Sequence, residues 1–154
     1  MSEAVERVVA ALRAGGMAAD VRRFDDPVPT AAAAAAALGC DVGAIANSLV
    51  FDADGEPLLV LASGAHRVDT AKVAALVGAQ RVRRADAAFV FAATAQEVGG
   101  VAPVGHPTPL RTVVDVDLAA YPVLWAGGGD HHTMFAATYD DLLRVTGGGA
   151  AAVA

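Results

Sequence analysis

The 154-residue sequence contains one cysteine, Cys40, and one lysine, Lys72, so almost all of its cations are arginine. A lone cysteine excludes an internal disulfide framework. No apolar run approaches the ~20 residues that span a bilayer, which excludes a membrane-spanning helix. The opening MSEAVERVVAALRAGG sets acids and arginines among its apolar positions. It reads as an amphipathic helix, not an export signal, and a reducing cytoplasm is the expected compartment. Positive net charge is also lacking: the chain carries -6 at pH 7, with a pI of about 5.0. Proteins that grip long stretches of nucleic-acid backbone are usually basic, because phosphate neutralisation supplies their affinity. DNA and extended RNA are therefore not expected partners. Contact with one end of a nucleic acid, or with a small molecule, fits the charge.

Several reaction signatures are missing too. Neither H-x-x-x-H nor C-x-x-C occurs, so no local metal site is expected. The four histidines include the adjacent pair His131-His132, with His66 and His106 far away in sequence. There is no nucleophile elbow G-x-S-x-G, no Walker A loop and no G-x-G-x-x-G, and no cofactor is expected. Cys40 sits at a helix end with no basic neighbour to activate it, which suits a buried structural thiol. The acidic pairs Asp25-Asp26 and Asp140-Asp141 lie where helices begin, and capping accounts for them.

Hydrophobic residues make up 55% of the chain and charged ones 18%, the balance of a folded domain. The periodicity predicts helices over Ala4–Arg13, Val68–Val77, Ala85–Thr94 and Tyr139–Val145. The seven alanines from Ala31 form a helix to Leu38, between the N-cap Thr30 and the stop Gly39. Strands are expected at Ala18–Phe24, Arg111–Val116 and Val123–Ala126. Between Ser48 and Ala62, two apolar runs flank an Asp54-Gly55 turn and predict an antiparallel hairpin. The class is a mixed α/β sheet with a prominent hairpin, one domain over residues 1–149, and a frayed tail at 150–154.

Two glycine-rich loops hold the candidate chemistry. In VGGVAPVGHP, Val98–Pro107, the pattern G-x-x-x-P runs from Gly99 to Pro103, and Gly105-His106 follow. Such a loop can aim backbone amides at a carbonyl or oxyanion; it can equally be a tight connection between helix and strand. The second loop, Gly127-Gly128-Gly129-Asp130-His131-His132, follows an apolar strand, a good place to receive a ligand.

The segments IANSLVF (Ile45–Phe51), LVLASGAHRVDTAKVAALVGA (Leu59–Ala79), GGVAPVGH (Gly99–His106) and WAGGGDHH (Trp125–His132) occur in the order of a known family. Together they resemble the YbaK/EbsC proteins, the prolyl-tRNA synthetase associated domains and freestanding trans-editing deacylases. The resemblance covers the chain from about Asp25 to Gly147. It implies a compact mixed sheet flanked by helices, with a pocket for an amino acid esterified to the 3′ end of tRNA. The implied activity is hydrolysis of that ester when the wrong, small amino acid is attached to a proline-type tRNA, without a metal. The implied partners are the acceptor end of aminoacyl-tRNA and an aminoacyl-tRNA synthetase.

The resemblance makes the G-x-x-x-P loop a cradle, with Gly100 and Val101 at the reacting carbonyl and Gly99 and Pro103 lining the pocket. Asn47 stands where the family typically has a lysine, with Ser48 beside it at the ribose or carbonyl end. Ser63, Gly64, Gly105, Gly127 and Gly128 complete the expected pocket, and His106 and His131 are expected polar wall residues. Asparagine donates and accepts hydrogen bonds but brings no charge. That leaves three outcomes open: an altered substrate, weaker activity, or a binding module without catalysis. Lys72, Arg67 and Arg111 are the other candidate cations.

Overall fold

Asp54 (φ 53°) and Gly55 (φ 91°) both take left-handed backbone conformations, the combination a two-residue hairpin turn requires. The turn folds β2 (Ile45–Ala53) onto β3 (Glu56–Ser63), the longest strand pair of the computed structural model, which describes residues Met1–Ala154. The remaining helices are α1 (Glu3–Ala14), α2 (Ala31–Leu38), α3 (Thr70–Val77), α4 (Ala87–Thr94) and α5 (Tyr139–Thr146). The remaining strands are β1 (Val21–Arg23), β4 (Val82–Arg84), β5 (Arg111–Asp115), β6 (Leu124–Gly127), β7 (Thr133–Ala137) and β8 (Gly149–Ala151). Short 3-10 turns cover Val42–Ala44 and Val116–Ala120. No helix is long and apolar enough to cross a membrane.

One sheet runs in the order β1-β7-β6-β2-β3-β5-β8, and β4 pairs with β2 off this path. Alternation along β2 divides the core. Ala46 and Val50 face Val5, Val8 and Leu12 of α1 and Val90 of α4. On the other face, Phe51 and Leu49 pack with Val73 and Ala74 of α3. Ile45 meets Ala34 and Ala35 of α2 there.

Helix ends follow the sequence signals. Thr30, Asp69, Asp86 and Thr138 each accept a first-turn amide, and Gly39, Gly78 and Gly147 close their helices in the left-handed region. Asp140 and Asp141 lie in the first turn of α5, where Asp141 completes a capping box. Asp25 and Asp26 lie in a bend, ahead of the cap at Thr30.

One expectation is corrected. Residues 150–154 do not fray: β8 pairs in parallel with β5, and Val153 is fully buried. The Val153 carbonyl accepts the Asp69 amide at 2.8 Å. Lys72 Nζ donates to the Ala154 oxygen at 2.9 Å, so the single lysine is engaged with the segment after β8. Two further strands are added to those the sequence predicts, β4 within Arg81–Arg84 and β7 at Thr133–Ala137.

Candidate active site

β3 pairs with β2 continuously from Ala46↔Ser63 to Ala53↔Glu56. The opposite edge of β2 is divided: β6 pairs only with Ile45 and Ala46, and β4 begins at Phe51. No strand pairs with Asn47–Val50 on that edge. The Gly64 amide donates to the Ile45 carbonyl at 2.8 Å, so odd-numbered residues of β2 aim their main-chain groups at β3. By alternation, Ser48 and Val50 aim theirs into the gap. A cavity of about 1070 Å³ opens there.

Both sheet faces contribute walls. Val50, Val90 and Val101 line the α1/α4 side; Ala34 of α2 and Ala71 and Ala74 of α3 line the other. Arg67, Arg81, Arg83 and Arg84 stand on the cavity's exposed margin. Arg83 pairs with Asp52 at 3.2 Å, whereas Arg67, Arg81 and Arg84 make no ion pair. Asn47 does not precede the strand but lies within it, and its side chain takes the face opposite Ser48.

The Val98–Pro107 loop is pinned from several sides. The Gly100 amide donates to the Glu97 carbonyl at 2.9 Å. Buried Gln96 accepts the Ala102 amide at 2.7 Å and donates through Nε2 to the Val104 carbonyl at 3.3 Å. His106 Nε2 donates to the Ala102 carbonyl, and His131 Nε2 to the Val98 carbonyl, each at 2.8 Å. Burial pushes the His106 imidazole below its ordinary value of 6.5, against the opposing effect of its bond to Ala102. At neutral pH it is therefore a neutral donor.

Two buried amides in this loop, those of Val101 and Val104, have no partner, and of the two residues Val101 is the one that lines the cavity. The Val101 N–H makes no hydrogen bond within the protein, though Val101 is only 7% exposed and lines the cavity. Buried amides without partners are rare in folded proteins. The loop is held there by contact with the second glycine loop. A Cβ on Gly100 would lie 2.7 Å from the Asp130 carbonyl carbon, and one on Gly127 would lie 2.6 Å from the Val101 oxygen. Both positions need glycine for close approach. Asp130 accepts the His132 amide at 2.9 Å. Burial would raise its carboxyl, but that bond, together with Thr133, Ser2 and the Arg23 charge, holds it below the ordinary 3.8.

Of the residues singled out in the sequence, Asn47, Ser48, Gly99, Val101 and Gly127 line the cavity, and so does Arg67. Gly100, Pro103, His106 and His131 are not on its surface; they shape the loop that is. Gly105 packs against the α1 backbone at Val8, and Gly128 against Thr133. Ser63 donates to the Gly43 carbonyl at 2.9 Å, and Gly64 lies against the Val42 carbonyl, so this pair serves the turn after β3. Arg111 donates to the Val77 carbonyl, away from the cavity.

His131 and His132 reach different carbonyls, those of Val98 and Phe24, and do not converge. The group of histidine and acid side chains that does converge is His66, Asp115 and Asp117, with ligand atoms within 4.8 Å of one another. His66 Nδ1 lies 2.7 Å from Asp115 and Nε2 lies 3.2 Å from Asp117. Asp115 also accepts the Ser63 and Asp117 amides. The cluster ties the chain after β3 to the turn after β5.

The sequence model described as the aminoacyl-tRNA editing domain matches residues 25–145. The chain belongs to that family. Over 97 residues it is 35% identical to a proline–tRNA ligase of Desulfovibrio desulfuricans, covering 63% of this chain and 17% of the ligase. A proline–tRNA ligase of Desulfotalea psychrophila is 33% identical over 86 residues, 56% of this chain and 15% of that protein. The chain thus spans about a sixth of these ligases' lengths. Among solved structures, a proposed trans-editing enzyme for prolyl tRNA synthetase superposes with a TM-score of 0.92 at 40% identity, covering 99% of this chain and 98% of the other. The hypothetical protein APE2540 gives 0.88 at 30% identity, covering 96% and 98%. The mixed sheet and the family expected from the sequence are thereby shown.

Within this editing-domain fold, sequence reasoning missed Gln96, the gap beside β2 and the arginines of β4. Gln96 follows Thr94-Ala95 without any motif, and only its burial reveals that it spans the loop. The arginine run Arg81–Arg84 was visible as charge, but its place at the cavity depends on β4 docking against Phe51–Ala53.

Proposed function

We propose that the protein is a deacylase that hydrolyses the ester between a small, mischarged amino acid and the 3′ end of a proline-type tRNA. The observation that carries this reading is the unpaired Val101 amide, buried in a cavity wall by two interlocking glycine loops. An ester carbonyl supplies the missing acceptor. Its oxygen gains negative charge in the tetrahedral transition state, so a preorganised N–H binds that state better than the ground state. Water adds to the carbonyl carbon, and the bond to the ribose oxygen breaks. That oxygen takes a proton, leaving free amino acid and tRNA. In the family resemblance, the neighbouring ribose hydroxyl assists the attack.

The gap beside Asn47–Val50 suits a single extended strand end, with Asn47 offering an uncharged amide to the ribose. Arg67, Arg81 and Arg84 place unpaired positive charge at the margin, where the phosphodiester of a terminal nucleotide would enter. Three such cations satisfy a short acceptor end without making the whole surface basic, which agrees with the net charge of -6.

Deacylation of alanyl-, seryl- and prolyl-tRNA of the proline type, with and without chelator, tests the reading. Hydrolysis of mischarged tRNA with sparing of the prolyl ester, unaffected by chelator, is expected. Binding without hydrolysis would instead support a non-catalytic recognition module. Chelator-sensitive hydrolysis would move attention to His66, Asp115 and Asp117.

A further inference from the structure

Ser48 Oγ is the only buried side-chain polar atom in the protein without a hydrogen-bond partner. It lies on the α1/α4 face of β2, between the core residues Ala46 and Val50; Ala46, Val50, Ala85, Val90 and Val101 form the apolar wall of the cavity on this face, and Asp130 also lines the cavity. Buried polar groups in folded proteins are almost always paired, so an orphan facing a cavity points to a group that enters it. We propose that Ser48 is a specificity residue that reads a side-chain hydroxyl on the aminoacyl group, so that seryl and threonyl esters are preferred to alanyl esters. The proposal rests on the hydrolase reading for its substrate class, and on Ser48 itself for its selectivity.

A hydroxyl is the best match because it both donates and accepts, and so pairs with Ser48 whichever way that proton points. A methyl group leaves Ser48 as unpaired as it is in the free protein. A charged side chain would lose its water among valines, while the arginines stand at the exposed margin. A thiol is only a weak donor and acceptor. The α-amino group could also reach Ser48, but it is common to every substrate and would confer no preference.

The test compares seryl- and alanyl-tRNA, with natural protein and with Ser48→Ala. The natural protein is expected to favour the seryl ester about tenfold, the worth of one net hydrogen bond read by a site built for it. Ser48→Ala should abolish that preference by slowing the seryl reaction alone, with the melting temperature unchanged or raised. Equal loss on both esters would overturn the proposal by placing Ser48 at a group common to all substrates, and no loss would overturn it outright. Should Ser48→Ala fail to fold, Ser48→Cys gives the same comparison.

Non-hydrolysable 3′-seryl- and 3′-alanyl-amide analogues of adenosine separate this proposal from the hydrolase reading. If no ester is cleaved, yet the seryl amide binds about tenfold tighter to natural protein but not to the variant, the selectivity stands and catalysis falls. Equal binding of the two amides, or binding of neither, would overturn the selectivity.

Discussion

Helices α1 and α2 cover opposite faces of one sheet, and the sheet holds them very differently. α1 buries Val5, Val8, Val9 and Leu12, each side chain contributing about 1.5–3 kcal/mol when removed from water. α2 buries only Ala34 and Ala35, whose methyl groups contribute about 0.8 kcal/mol each. Alanine propensity, the Thr30 cap and the Gly39 stop carry the rest of α2. The loop bearing the Val101 amide packs on the α1 side, where Gly105 lies against the Val8 backbone. The wall proposed to do the chemistry is thus tied to the strongest part of the core, and the opposite wall leans on a weakly held helix. A donor that must meet developing charge benefits from being immobile before substrate arrives. The residues across the cavity carry no such demand.

The contrast is broken most severely at Gln96. Gln96→Ala leaves the buried Ala102 amide and Val104 carbonyl without partners, and should cost about 2–4 kcal/mol of stability, read by urea unfolding. Deacylation should fall further than the stability loss explains, because the loop loses its shape. A variant with normal stability and activity would show that the loop does not need this support.

Asn47→Lys sharpens the comparison from the lighter side. A charge-assisted bond in place of a neutral one gains on the order of 1.4 kcal/mol, or about tenfold in kcat/KM on mischarged tRNA. Asn47→Ala should lower the same parameter. If neither changes, Asn47 has no part in the site.

Ala36→Gly, on the exposed side of α2, should cost about 1 kcal/mol. It should speed amide exchange within α2 and leave α1 protected. Equal acceleration in both helices would show that they unfold as one unit and that the asymmetry is only apparent.

The smallest expected effect is acidic. His106 has a folded-state pKa below 6.5, so the unfolded chain binds its proton more readily. Its stability contribution is complete above pH 6.5 and declines as pH falls from 6.5 toward the depressed value. His106→Gln should flatten that part of the stability profile; an unchanged profile would remove His106 as its source.

What the sequence made legible was local. Thr30 with Gly39, and Asp54-Gly55, each carry their cap or turn within a few residues, and both are found as read. β7, β8 and the gap in β2 were not legible, because each exists only through a partner distant in the chain. Thr133–Ala137 is a short run after a glycine loop and gains identity as a strand by pairing with β1 and β6. The tail looked frayed because nothing nearby could bind it; its partner, β5, ends 33 residues before β8 begins, counting 116 to 148. The two glycine loops were visible as candidates. Which of their amides meets the cavity unpaired was not, because Gln96 and Glu97 engage Ala102 and Gly100, and the free amide of Val104 lies away from the cavity that Val101 lines.

The most direct measurement is single-turnover deacylation of alanyl- and seryl-tRNA of the proline type by the natural protein and by Gly127→Ala. The added Cβ would press on the Val101 carbonyl, 2.6 Å away, and displace the amide proposed to hold the ester. The account predicts chelator-insensitive hydrolysis by the natural protein and a loss of about 100-fold in the variant, the typical effect of removing one oxyanion donor. Hydrolysis that persists at full rate in a folded Gly127→Ala protein would contradict it.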